Sequence, residues 1–194
     1  MSKKGQLLNT KAIIKLAKKH GDDPFNVRDE ALIAFAGLAY FSGHDLSLVT
    51  VSDVITERGK IVIDNYLPGS VSSNGKARMF YIGKNTYLQD VTVRVIEWRI
   101  KNKLGCLDRG LFAGLNPDSK FFLKDDGSEY GLNFKNRHEG DTVTQPLQMQ
   151  RKFKAFYLSE GVTLATLLDS FIENFWLRKS SEGTVQTIRD LMDL

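Results

Sequence analysis

Apolar positions recur along this chain at two periods, one near 3.6 residues and one near 2, and the switches between them divide it into elements. Ile13, Ile14 and Ala17 share one side of a helix that Thr10 can cap and that runs to about Lys19. Gly21-Asp22-Asp23-Pro24 stops it. Ala31, Leu32, Phe35, Leu38 and Ala39 keep i, i+3, i+4 spacing and predict a second helix over about Arg28 to Phe41. Ser42-Gly43-His44 breaks that pattern, and a short helical piece follows to Val49. Lys60-Ile61-Val62-Ile63 and Arg78-Met79-Phe80-Tyr81-Ile82 read as the strands of an antiparallel hairpin. The turn dipeptide Asn74-Gly75 lies between them, with Ser70 to Ser73 able to widen the tip.

Thr86-Tyr87-Leu88-Gln89 has capping-box spacing, and Leu88, Val91, Val95 and Trp98 continue a helical stripe that Gly105 ends. A second small hairpin is expected around Asp125-Asp126-Gly127, within Phe121 to Phe134. A helix over about Thr144 to Tyr157 leads to Glu160-Gly161, and Leu164, Leu167, Leu168, Phe171, Phe175 and Trp176 then form one wide stripe. After Ser180-Ser181-Glu182-Gly183, Thr184 can cap a final helix with Val185, Ile188 and Leu191 inward. No repeat, low-complexity tract or linker interrupts the pattern. The expectation is a mainly helical α+β single domain over residues 1–194, with one small antiparallel sheet.

Composition narrows the chemistry. The chain has 194 residues, enough to bury a core without disulfides or metals. Its one cysteine, Cys106, excludes an internal disulfide framework and a multi-cysteine zinc cluster. His20, His44 and His138 lie far apart, so the ligand supply for a metal is poor. No apolar run approaches the roughly 18 residues of a membrane span, and the basic start Met1-Ser2-Lys3-Lys4-Gly5 lacks a signal peptide's apolar stretch. A cytoplasmic protein is expected, without membrane contact, cofactor or small-molecule substrate. The net charge is +4 but unevenly spread. Residues 1–20 carry +6 and residues 76–103 carry +5, while acidic residues collect at 22–30, at 125–129 and near the C-terminus. Such segregation suits a positive face for a polyanion, and suits solvated helix faces equally well.

From Arg28-Asp29-Glu30-Ala31-Leu32 through Ser52-Asp53-Val54 the sequence resembles the opening of the catalytic domain of tyrosine recombinases, the phage integrases and related resolvases. That family reads R-D-x-A-(apolar)n-G-L-R-x-S-E-L-x-x-L-x-x-x-D-I, and this chain can be laid on it without a gap. Asn74 to Gly83 is similar to the family hairpin G-K-G-x-K-x-R-x-V-P-(L/I), Gly161 to Phe175 to the segment bearing H-x-L-R-H-T-F, and Thr184 to Leu191 to the helix before the G-H motif. The resemblance spans about residues 8 to 194. It implies a recombinase-like fold and a surface that holds double-stranded DNA. It does not carry the chemistry over. The family stabilises charge on the scissile phosphate with two arginines and a histidine or tryptophan, uses a hairpin lysine as general acid and attacks with a tyrosine. Those positions fall on Ser42, Ser73, Ala165 and Leu168, the next His or Trp falls near Leu194, and the last tyrosine is Tyr157. No catalytic residue is expected. The family's N-terminal clamp domain and extended C-terminal tail have no counterpart here, so a homodimer and a monomer both stay open.

DNA-contacting candidates follow from the resemblance and from charge. Lys76 and Arg78 lie just past the hairpin turn, from which cations can reach phosphates or enter a groove. Arg151, Lys152 and Lys154 lie on the helix whose family counterpart faces DNA, with Arg137 and His138 ahead of it and Arg178 and Lys179 at the end of the next. Lys11, Lys15 and Lys18 share one side of the first helix. His44 reads as a loop histidine, Cys106 as a small buried residue, and Trp98, Phe171, Phe175 and Trp176 as core. The function expected is non-catalytic, sequence-specific binding of double-stranded DNA by a transcriptional regulator encoded on a bacterial mobile element such as a conjugative plasmid. Alternatives are an accessory protein docking onto an active recombinase without binding DNA, and a divergent phosphodiester enzyme.

Overall fold

The computed structural model describes residues 7–21, 26–69, 77–82, 85–108, 110–136 and 142–179. Its centre is a helix buried on almost every side. Thr10–Gly21 (α1) leads to Val27–Ala39 (α2), and α2 packs against α1, against Thr86–Lys101 (α5) and against Leu164–Lys179 (α7). A surface helix buries one stripe, whereas an enclosed helix must be apolar or internally paired all round. In α2 the residues Ala31 to Gly37 are all buried, and so are its charged first residues Arg28, Asp29 and Glu30. At Gly37 a Cβ would lie 2.7 Å from the Ile13 side chain, so the missing side chain is what lets α1 approach so closely. α1 is capped by Asn9, one residue before the expected Thr10: Asn9 Oδ1 accepts from the Ala12 N–H at 2.9 Å. Tyr40 closes α2 in the left-handed conformation, with φ of 58°.

Gly43–Leu48 (α3) and Val51–Val54 (α4) follow, then the antiparallel pair Asp64–Leu67 (β1) and Arg78–Tyr81 (β2). The first strand therefore begins four residues later than the pattern predicts. The apolar run Lys60 to Ile63 is used elsewhere: Ile61 bridges Ile55, and the Val62 N–H donates to the Val54 carbonyl at 2.8 Å, closing a turn onto α4. Asn74-Gly75 lies outside the described residues. α5 is capped by Asn85, whose side chain accepts from the Leu88 N–H, and not by Thr86. Its stripe is as expected, with Leu88, Val91 and Val95 fully buried.

The turn at Asp125 to Gly127 is present, closed by the Lys124 N–H on the Ser128 carbonyl and a bridge between Leu123 and Glu129. Beyond it lies a hairpin that the pattern did not predict: Asn133–Asn136 (β3) pairs with Thr142–Gln145 (β4). The helix expected from Thr144 begins later, at Leu147, and runs to Glu160 (α6). Pro146 explains the shift, because it biases Gln145 to extended backbone and is itself a good helix starter. Two two-stranded sheets thus replace the single sheet expected, and the class is mainly helical α+β, with seven α-helices among the described residues. Edge-to-face rings lock the core: Phe35 meets Phe41 and Phe122, Phe41 meets Phe80, and Phe121 meets Phe122. In α7, Leu167 is buried and Leu164, Leu168 and Phe171 are half-buried, while the final helix expected after Thr184 lies outside the described residues. No described helix is long and apolar enough to cross a membrane.

Candidate nucleic-acid interface

Charge divides into groups the fold consumes and groups it leaves free. At the start of α2, the Arg28 guanidinium donates to Asp29 Oδ1 at 2.8 Å and to Asp125 Oδ1 at 2.7 Å. Burial works against its charge, yet the surrounding Tyr130, Asp29 and Asp125 outweigh that and hold its pKa above the usual value. The second Asp29 oxygen takes Lys152 Nζ of α6 at 2.5 Å. Beside this cluster Glu30, 1% exposed, takes both terminal nitrogens of Arg94 and the Tyr87 hydroxyl. The bidentate bond to Glu30 raises the Arg94 pKa, and burial followed by Glu30 raises that of Tyr87.

Arg99 is fully buried in α5 and donates to the carbonyls of Leu104, Lys120 and Phe121 and to Ser119 Oγ. Burial lowers its pKa to about 10. Arg94 and Arg99 are two of the cations that make residues 76–103 look basic, and both face inward partners. Two of that segment's cations are therefore taken up by partners within the fold, while Lys101 and Lys103 stand exposed.

The outer side of α6 is different. Met149, Phe153 and Phe156, spaced i, i+4, i+7, bury its inner side. Gln150, Arg151 and Lys154 consequently stand exposed, with Leu158 at 76% exposure one turn further on. Among the described residues Arg151 and Lys154 have no ion-pair partner. Of the candidate cations, Lys152 is half-buried, tied to Asp29 and lying over the Phe156 ring at 5.4 Å. It belongs with the inner network as much as with the outer face. Arg78 opens β2 opposite Leu67. Arg178 and Lys179 close the last turn of α7. Lys76, Arg137 and His138 lie outside the described residues, the latter two in the segment joining β3 to β4. Lys11, Lys15 and Lys18 are exposed on α1.

The described positions that the recombinase pattern assigns to chemistry hold no cationic side chain. Ser42 caps α3: its hydroxyl accepts from the Asp45 N–H, and Asp45 Oδ2 accepts from the Ser42 N–H at 2.6 Å. His44 lies within α3, half-buried, with Nε2 3.0 Å from the Thr144 carbonyl oxygen, and so ties α3 to β4. Ala165 is exposed and Leu168 half-buried in α7, and Ser73 lies outside the described residues. Cys106 is exposed, not buried as expected: it follows α5, bridges Leu115 through its backbone, and has its Sγ 3.9 Å from the Arg99 carbonyl oxygen. Trp98 is half-buried against the core. Among the described residues no group of three or more His, Cys, Asp or Glu is placed to hold a metal.

The sequence reading missed Gln150 and Leu158 as neighbours of Arg151 and Lys154. Their spacing relative to Met149, Phe153 and Phe156 carries that information once the helix is known to start at Leu147. Comparison with models of known families, with curated proteins and with solved structures gave no match to this chain.

Proposed function

We propose that the chain is a non-catalytic protein that binds double-stranded DNA sequence-specifically, and that the outer face of α6 reads the duplex. The observation that carries this is the pairing of exposed Arg151 and Lys154, without ion-pair partners among the described residues, beside exposed Gln150 on one face of a 14-residue helix. An α-helix of that size fits the major groove, where arginine pairs bidentately with guanine and glutamine with adenine. Lysines at its edge contact phosphate and set the register. The resemblance to tyrosine recombinases supports the same face. One backbone detail agrees with it: the pattern's glycine before the first arginine falls on Tyr40, which adopts φ of 58°, a conformation glycine takes without strain. The replacement of the arginine by a capping serine supports loss of catalysis, since Ser42 offers no cation to a phosphate. A regulatory role on a bacterial mobile element follows from the resemblance alone.

The exposed Leu158 and half-exposed Tyr157 on α6 favour a second reading, an accessory protein that docks onto a recombinase through this helix. Selection of DNA by the purified protein, with recovered sites re-tested across a salt series, separates the two. An enriched motif with steep salt dependence is expected. Absence of binding at low salt, together with co-purification of a recombinase, would transfer the assignment to the accessory role.

A further inference from the structure

A long concavity runs along α1 beside α7. Leu8, Ala12 and Leu16 recur every four residues and form its apolar line, with Val162 at one end. Lys11 and Lys15 border it on α1, both exposed, and α1 holds no acidic residue. Beside Val162, Lys19 reaches Glu160 at 2.9 Å. Across the groove α7 supplies the opposite sign. Ser170 Oγ accepts from the Leu8 N–H at 2.9 Å and Asn174 Nδ2 donates to the Leu8 carbonyl at 2.8 Å, so Ser170 and Asn174 face α1. On one flank of them Leu167 and Phe171 turn to α2, against Gly37 and the Tyr40 ring. Asp169 and Glu173 occupy the other flank and therefore stand on the outer side of α7, both exposed. Among the described residues Lys11, Lys15, Asp169 and Glu173 have no ion-pair partner.

One face of the molecule thus carries a basic row and an acidic row with an apolar line between them. Such a face is complementary to itself. Glu160 and Val162 lie beside Leu16 and Lys19, whereas Ser170 and Asn174 lie beside Leu8, so α1 and α7 run antiparallel. A two-fold axis parallel to the two helices sets α1 of one copy over α7 of the other, again antiparallel, and keeps every residue at its own level. Leu8 is level with Ser170 to Asn174. At a rise of about 1.5 Å per residue, Lys11 then comes level with Asp169, and Lys15 lies one turn further on. The basic row meets the acidic row twice, once on each side of the paired apolar lines. An axis across the helices would instead set lysine on lysine and carboxylate on carboxylate, which like-charge repulsion disfavours. Ala12, small and at the midpoint of the line, lets the four helices approach as in an antiparallel bundle.

We propose that a second copy of this chain docks on the α1–α7 face, forming a symmetric dimer in which Lys11 and Lys15 of each copy meet Asp169 and Glu173 of the other. This dimer does not rest on the DNA-binding reading, and its test reads no DNA. Sedimentation equilibrium of the full chain at low salt should show monomer and dimer exchanging between about 1 and 100 μM, the range in which a micromolar dimer titrates. Lys11→Glu with Lys15→Glu and, separately, Asp169→Lys with Glu173→Lys should each weaken dimerisation more than about tenfold, because each variant then meets its own copy with like charges. An equimolar mixture of the two variants should recover the dimer, since both contact rows again join opposite signs. All four positions are exposed, and recovery in the mixture itself requires two folded chains. A dimer that either variant leaves at full strength, or a mixture that stays monomeric, would overturn the proposal. A chain that is monomeric throughout the range would also overturn it and leave the groove to an acidic helix of another protein.

Discussion

The start of α2 and the outer face of α6 both carry cations, and the fold treats them in opposite ways. At α2, Arg28 is 3% exposed and holds two carboxylates, and Glu30 is enclosed by Arg94 and Tyr87. At α6, Arg151 and Lys154 face water with no ion-pair partner among the described residues. Desolvated ions persist only when paired, so the first group contributes to a single native arrangement and is not available to an external anion. Exposed cations contribute little to stability and keep their charge for a ligand. Positive charge in a sequence is thus a poor marker of an interface until its pairing is known. Lys152 sits on the boundary, on the α6 helix but bonded to Asp29.

This contrast can be broken by substitution. Arg28→Met strips a buried partner from Asp29 and Asp125 and is expected to cost about 3 kcal/mol in denaturant unfolding, against less than about 0.5 kcal/mol for Arg151→Met. Equal costs at the two sites would erase the distinction. pH sharpens it next. Burial pushes the Tyr130 hydroxyl, beside Arg28, up to about 12. A group whose folded pKa is raised contributes stability that is complete below its unfolded value near 10 and is lost as pH rises through about 12. Between about pH 9 and 12 the unaltered protein should therefore lose stability more steeply than Tyr130→Phe. Arg99, lowered by burial, acts in the opposite sense in both proteins and drops out of the difference. Parallel curves would remove Tyr130 from the network.

The smallest effect separates two lysines two residues apart. Lys154→Met should flatten the dependence of log K for DNA on log salt by about one phosphate contact with stability unchanged. Lys152→Met should cost about 1 kcal/mol of stability through Asp29, with less change in the salt slope. Equal slopes for both variants would place Lys152 on DNA.

Where periodicity and burial coincide, the fold was legible in the sequence. The Leu88, Val91, Val95 stripe and the Ala31 to Ala39 spacing name two helices that are present. What failed were features set by distant contacts. Lys60 to Ile63 has strand composition, yet a turn folds it onto α4, and β1 begins only at Asp64. Full enclosure of α2 was hidden because Arg28, Asp29 and Glu30 look like a solvated first turn until Arg94, Asp125 and Lys152 are brought to them. The α6 cations were readable as candidates, but their separation into a free pair and a tethered lysine needed the three-dimensional partner Asp29.

DNA retention of the unaltered chain and of Arg151→Glu with Lys154→Glu, measured side by side at low salt, decides whether the outer face of α6 holds DNA. Salt-sensitive binding by the unaltered chain and at least a hundredfold loss in the variant are expected, with unfolding curves that superimpose. Undiminished binding by the variant, or no binding by the unaltered chain, would contradict DNA binding at this face.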